Sequence, residues 1–160
     1  MDDEATRLTL LGRREIEAKV VGPLVRAFEA EFGRERTLEV LRRVIADLAR
    51  QGGAELAESI GSASLEAFAA ALGRWSEGGA LELDVLEQSP ERLSFNVTRC
   101  RYAELYRALG LADLGASLSC CRDFALVEGF NPAIRLRRTQ TIMEGAPYCD
   151  FRFAADGEGE

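Results

Sequence analysis

The 160-residue chain predicts an α+β domain, and three observations carry that prediction. The first half repeats its apolar residues every three or four positions, as helices packed on one side do. From residue 81 the period drops to two, the mark of strands with one buried face. A second helical stretch then separates this alternation from another one near the C-terminus. Helices, hairpin, helices, hairpin is the order of N-terminal helices packed on a four-stranded antiparallel sheet made of two hairpins.

Leu11, Ile16, Val20, Leu24, Val25 and Phe28 form a helical stripe over Leu10 to Phe32, with Gly22-Pro23 as a kink or break. Leu38, Leu41, Val44, Ile45 and Leu48 give a second helix from about Thr37 to Glu58, weakened late by Gly52-Gly53. Ser64 suits the N-cap of a third helix through Leu72, which Gly73 ends. Ser76-Glu77-Gly78-Gly79 is the loop where the pattern changes. Leu81, Leu83 and Val85 then face Leu93, Phe95 and Val97 across a Ser89-Pro90-Glu91 turn. Further helices follow from about Arg101 to Leu109, stopped at Gly110, and from Ala112 to about Val127. Asn131-Pro132 breaks the chain before the last hairpin. The expected organisation is one domain over residues 1–153, a helical half at about 8–75 and a hairpin-rich half at about 80–153. An acidic tail, residues 154–160, is expected to fray.

A chain of this length buries about two thirds of its unfolded surface without staples. With 29% charged and 47% hydrophobic residues it has the balance of an ordinary globular protein. No apolar run reaches the roughly 20 residues of a membrane span. Met1-Asp2-Asp3-Glu4 has the wrong sign for a signal peptide, so a cytoplasmic protein with no membrane partner is expected. Net charge is −7, and the arginines alternate with Glu and Asp, so no concentrated basic face marks a nucleic-acid partner.

The chain has no histidine. That excludes Ser–His and Cys–His nucleophile pairs and every histidine-ligated metal site. Chemistry must come from Cys, Asp, Glu, Arg, Tyr, bound water or a cofactor. Cys100, Cys120, Cys121 and Cys149 contain no C-x-x-C spacing, and free thiols are their expected state. Cys100 follows a strand at the start of a helix and is flanked by Arg99 and Arg101, which together favour a thiolate; the plain alternative is a small buried hydrophobe. Cys120 and Asp123 are three apart on a helix and share a face, where the carboxylate could act as a base or orient water. The plain alternative for Asp123 is a surface charge or a structural bond to Arg122 or Arg138. Cys121 belongs to the neighbouring apolar stripe and reads as packing.

In the last hairpin, a turn at Glu144-Gly145-Ala146-Pro147 sets Ile142 opposite Cys149, Gln140 opposite Phe151 and Arg138 opposite Phe153. Alternation then puts Ile134, Leu136, Arg138, Gln140, Ile142, Cys149, Phe151 and Phe153 on one mostly apolar face. The wetter face holds Arg135, Arg137, Thr139, Thr141, Asp150 and Arg152. A guanidinium on an apolar face needs a carboxylate partner, water or a cavity, so Arg138 either pairs internally, with Asp123 for example, or binds an anion.

The blocks Asn96-Val97-Thr98-Arg99-Cys100-Arg101-Tyr102-Ala103-Glu104, Leu118-Ser119-Cys120-Cys121-Arg122-Asp123 and Arg137 to Phe153 resemble, in order, the signature of the L-2-amino-thiazoline-4-carboxylic acid hydrolase family. Gly145, Tyr148, Cys149 and Phe151 also resemble a pattern of the four-vinyl-reductase-type small-molecule-binding domains, an α+β fold. The first resemblance implies hydrolysis of a cyclic amino-thiazoline carboxylate to a carbamoyl-cysteine, without a cofactor. The matched positions imply Cys100, Asp123 and Cys120 as catalytic residues. They imply Arg138, Gln140, Asn96, Cys149 and Thr141 as substrate-binding residues. Either a Cys thiolate attacks the carbon between sulfur and nitrogen, or Asp123 activates water there. Arg138 would take the substrate carboxylate through its planar fork. A non-catalytic ligand-binding or sensory domain is the alternative, and a Cys/Asp metal site a third. The expected partner is a small carboxylate; the oligomeric state is left open.

Overall fold

The structure, a computed structural model, describes residues 8–156. The acidic start Met1 to Glu4 and the tail residues 157–160 lie outside the described residues. Helix α1 spans Leu10–Phe32, opened by Thr9, whose hydroxyl accepts the Gly12 N–H at 3.1 Å. It runs unbroken through Pro23. Gly22 is there for packing rather than breaking: a Cβ on it would lie 2.7 Å from a Leu111 methyl. Gly33 (φ +84°) turns the chain into α2, Arg34–Ile60. Then come α3 (Leu65–Ala71), capped by Ser64 as expected, and the single turn α4 (Gly73–Ser76). Gly73 opens that turn instead of ending the helical run.

Strands β1 (Leu81–Gln88) and β2 (Arg92–Cys100) form the first hairpin, with irregular pairing after Glu82 and Val85. Helix α5 (Arg101–Ala108) follows directly. The stretch expected as one helix from Ala112 is divided. Ala116–Cys120 makes a wide turn, closed by the Cys121 N–H on the Ala116 carbonyl at 2.9 Å, and α6 then spans Arg122–Phe130. Such wide turns re-aim side chains and recur at functional sites. Strand β3 (Ile134–Arg137) and strand β4 (Cys149–Ala155) complete one antiparallel sheet, ordered β1-β2-β4-β3. The strand continues through Ala155, and the Asp156 N–H bonds the Ala133 carbonyl, so the ordered chain runs past residue 153.

The last hairpin has a different register. Leu136, not Arg138, lies opposite Phe153. Residues 138–141 leave the ladder, and the Asp150 carboxylate takes the Thr139 and Gln140 N–H groups in its place, at 2.8 and 2.9 Å. Ile142–Glu144 then tightens into one 3₁₀ turn before Gly145 (φ +100°). A shift of two residues keeps side-chain parity, which is why Arg138 still points inward.

Two apolar clusters fill the interior. One lies among the helices around Ala18, Ile45, Tyr106 and Leu114. The other lies between sheet and helices around Phe68, Leu93, Phe95, Val97, Phe130 and Phe153. Of the α1 stripe only Val25 joins the helical cluster, with Leu11 packed against it. Ala18, Gly22 and Val25 are the buried residues of α1, whereas Ile16, Val20, Leu24 and Phe28 are each about half exposed or more. Val44 and Leu48 of α2 are likewise exposed.

Candidate functional site

A recess of about 520 Å³ lies where the N-terminal part of α1, the middle of α2, the end of β2, the wide turn with α6, and the 138–149 segment meet. That is within the ordinary size range of a small-molecule site. Cys100, Cys120, Asp123, Arg138, Thr141 and Cys149 all line it. Residues scattered over fifty positions of sequence are thus brought to one wall.

Cys100 sits at the N-cap of α5, its sulfur accepting the Ala103 N–H at 3.4 Å. The helix start is as expected, but the thiolate is not. Burial pushes the Cys100 thiol up, outweighing the Ala103 and Tyr102 N–H groups. The flanking arginines are turned outward: Arg99 bonds Glu104 and Glu82, and Arg101 bonds the Gly78 carbonyl. Burial, with Asp123 nearby, pushes Cys120 strongly up. Burial also raises Cys149 to about 11, although its sulfur accepts the Ile142 N–H at 3.2 Å. All three cavity thiols are therefore neutral at pH 7. Iodoacetamide at pH 7 is expected to label them slowly, with a steep rise above pH 9 in peptide-mapped alkylation rates. Fast labelling of any one at neutral pH would show a thiolate that burial does not permit. Cys121 instead bonds the Ser117 carbonyl at 2.9 Å and packs.

Asp123 opens α6 and pairs with Arg138. Burial raises its carboxyl to about 6, opposed by Arg138, Arg14 and Arg122. Its side chain is still 32% exposed, so a carboxylate titrating near neutrality is reachable from the cavity it lines. Arg138 is 8% exposed, donates to the Cys120 carbonyl at 3.2 and 3.3 Å, and lies over the rings of Phe124 and Phe151 at 4.9 and 5.4 Å. The internal pair expected as one option for Arg138 is the arrangement present.

Two expected site residues are elsewhere. Asn96 lies on the opposite side of β2, where its Oδ1 accepts from Arg152 at 2.9 Å. Gln140 turns away to donate to the Tyr148 carbonyl at 2.9 Å, because the chain leaves the ladder after Arg137. Thr141, assigned to the wet face, is 2% exposed and lines the recess, since the 3₁₀ turn it caps rotates it inward. Trp75 and Tyr102 also line the recess, the Tyr102 hydroxyl donating to the Trp75 carbonyl at 3.2 Å. Arg14 and Arg122, which sequence reasoning did not single out, complete the polar wall. Nothing in their local pattern separates them from the other arginines; only the fold brings Arg14 of α1 against Arg122 of α6. Five arginines against three carboxylates line the recess of an otherwise acidic protein. Among the described residues no three Cys, Asp or Glu side chains form a metal-ligand set, and no helix is long and apolar enough to cross a membrane.

Fold and recess together define an α+β domain with a recess whose mostly apolar wall carries a cluster of arginines, carboxylates and thiols. The chain belongs to the L-2-amino-thiazoline-4-carboxylic acid hydrolase family, whose model matches residues 13–153. No curated protein matches it by sequence. Among solved structures it is similar to the phenol-responsive sensory domain of the transcription activator PoxR, determined with phenol. The identity is 17%, with a TM-score of 0.46 over 84% of this chain and 72% of that one.

Proposed function

We propose that the protein is a hydrolase that opens a small cyclic amidine carboxylate of the 2-amino-thiazoline-4-carboxylate type, with Asp123 activating water. The observation that carries this reading is a cavity-facing carboxylate with a pKa of about 6, in a recess whose three thiols are protonated. A base titrating just below neutrality is largely ionised at pH 7 yet still takes up a proton readily. Asp123 removes a proton from water as the water oxygen bonds the ring carbon between sulfur and nitrogen, and the π pair of the carbon–nitrogen double bond moves onto the ring nitrogen. The carbon–sulfur bond then breaks as the carbonyl forms, the hydroxyl proton passes to the ring nitrogen, Asp123 returns its proton to the departing sulfur, and an N-carbamoyl-cysteine results. Water is the only co-reactant, and no histidine is needed. Arg138, held between Phe124 and Phe151, fixes the Asp123 carboxylate toward the cavity.

The thiols Cys100, Cys120 and Cys149 shape and desolvate the recess in this scheme. Ring opening, followed by loss of ultraviolet absorbance, is expected to show kcat/KM rising with pH through about 6 and level above it, because the ionised form of Asp123 is the active one. Cys100→Ser is expected to stay within a few-fold of wild type. A profile that instead rises above pH 9, or inactivation by Cys100→Ser, would return the chemistry to a thiolate. The internal closure of the Asp123–Arg138 pair favours a second reading, a ligand-binding domain without turnover. Saturable binding of such rings with no ring opening would select it.

A further inference from the structure

We propose that Arg14 and Arg122 form the subsite for the ligand's carboxylate, at the α1 side of the recess. The inference deepens the reading above by naming which end of the site takes the anion. Arg14 donates to both Glu17 oxygens at 2.9 Å, and Arg122 donates to the same carboxylate at 3.1 Å and to the Leu118 carbonyl at 2.8 Å. Two guanidinium groups share one carboxylate, so one positive charge is left without a counter-ion. Their side chains are only 17% and 16% exposed, and both line the recess. Among the described residues, Arg14 Nε and Nη2 and Arg122 Nη1 have no protein acceptor. Burial and the neighbouring Arg14 pull the Arg122 pKa below its usual value, as an uncompensated buried cation requires. A small carboxylate supplies the missing charge and accepts from these free N–H groups. Arg138, by contrast, already has Asp123 and the Cys120 carbonyl.

Trp75 is the only tryptophan and lines the recess, so its fluorescence reports occupancy. The probes are 2-amino-thiazoline-4-carboxylate and 2-amino-thiazoline, which lacks the carboxylate. Arg14→Gln is expected to weaken the carboxylate at least tenfold and to leave the uncharged-tail probe within twofold, while Asp123→Asn still binds both. Equal effects on the two probes, no effect on either, or selective weakening by Arg138→Gln instead would overturn the subsite. An active Asp123→Asn variant would remove the proposed chemistry and leave this subsite standing.

A separate observation concerns the outside of α1. Its exposed ridge Ile16, Val20, Leu24 and Phe28 repeats every four residues and mirrors itself about position 22. Arg13, at the rim of the recess, and Glu31 are exposed and without ion-pair partners among the described residues, and they lie at mirror positions on the same side of the helix. We infer that two copies of the chain pair antiparallel through α1. A two-fold axis at the level of Gly22 sets Ile16 on the second copy's Phe28, Val20 on its Leu24, and Arg13 on its Glu31. An i±4n ridge is the surface that interlocks with its own kind in helix packing. Phe32 of α1 and Val40 and Val44 of α2 are exposed as well. Together these seven side chains expose on the order of 600 Å², against the ~800 Å² each partner contributes to a standard interface and at the top of the ~300–600 Å² of a typical monomer's largest patch.

Light scattering of the full chain at tens of micromolar is expected to give a dimer. Leu24→Glu is expected to give a folded monomer by circular dichroism, since the residue is 50% exposed in the single chain. Arg13→Glu or Glu31→Arg alone is expected to weaken the dimer at least fivefold, and the two together to restore it. A monomeric wild type, a dimer indifferent to Leu24→Glu, or a double swap no better than the singles would overturn the pairing, the first pointing to a different protein as the occupant.

Discussion

Gly129→Ala is expected to lower stability by about 3 kcal/mol, the overpacking range at its upper end, and to drop the melting temperature by roughly 10 °C for a chain of this size. A Cβ at Gly129 would lie 1.9 Å from the Arg50 carbonyl oxygen of α2. The contact is reciprocal: a Cβ at Gly53 would lie 2.0 Å from the Leu126 carbonyl of α6 and 2.8 Å from the Phe130 nitrogen. Both obstacles are backbone atoms, so no side chain can swing away and one helix must move. Alanine is the better helix former by roughly 1 kcal/mol, but that gain is smaller than the steric loss. Gly52, one residue from Gly53, has nothing within 4 Å of its Cβ position. Gly52→Ala is therefore expected to stabilise by about 0.5–1 kcal/mol. Thermal unfolding of the three variants decides the matter. If Gly53→Ala and Gly52→Ala shift the melting temperature in the same direction, the α2–α6 backbone contact is not as described.

That pair of glycines marks what a sequence can and cannot say. Local propensity reads Gly52-Gly53 as one weak spot in a helix, because the penalty for glycine is the same at both positions. Only the approach of α6 separates them. The hairpin at 81–100, the Ser64 cap and the helix start at Cys100 were legible, since each depends on neighbours within a few residues. The α1 stripe was legible as a helix but not as to which side is buried. Ala18, Gly22 and Val25 face the core because small residues admit Leu111 and the helices behind it, and the larger side chains are left outside.

The site divides in the same way. Arg138 was placed inward by parity alone, and parity survived a register that had slipped by two. Gln140 and Thr141 exchanged roles because Asp150 captures the backbone at 139–140 and ends the ladder early. The neutral state of Cys100 was out of reach for a different reason. Flanking arginines favour a thiolate only if they face it, and their direction is decided by Glu82 and Glu104 for Arg99 and by the Gly78 carbonyl for Arg101. Asp123, finally, owes its raised pKa to burial against Arg138, Arg14 and Arg122, which come from three separate parts of the chain, and the wide turn at 116–120 before it has no local signature in a stretch that reads as continuous helix.

Asp123→Asn is expected to reduce kcat for ring opening by at least about 10²-fold, the lower bound for loss of a general base, with KM changed little. Asparagine keeps the size and one acceptor oxygen but cannot take a proton from water. It also leaves Arg138 without its counter-charge, and truncating one member of a buried pair can cost about 3–5 kcal/mol, so activity and folding must be read apart. The sign of the pH effect does this. The Asp123 pKa is raised from its ordinary value to about 6, so the native state holds that proton more tightly than the unfolded chain. Its contribution to stability is therefore present below about pH 4 and lost as pH rises to about 6. Asparagine removes that dependence along with the catalytic one. Wild type should lose some melting temperature between pH 4 and 6 while gaining activity, and Asp123→Asn should show neither change in that window. Arg138→Gln separates the roles further: with the carboxylate deprived of its cation, the midpoint of the activity profile is expected to move above 6. A midpoint that stays put in Arg138→Gln, or an Asp123→Asn enzyme that keeps wild-type kcat, would place the base on another residue.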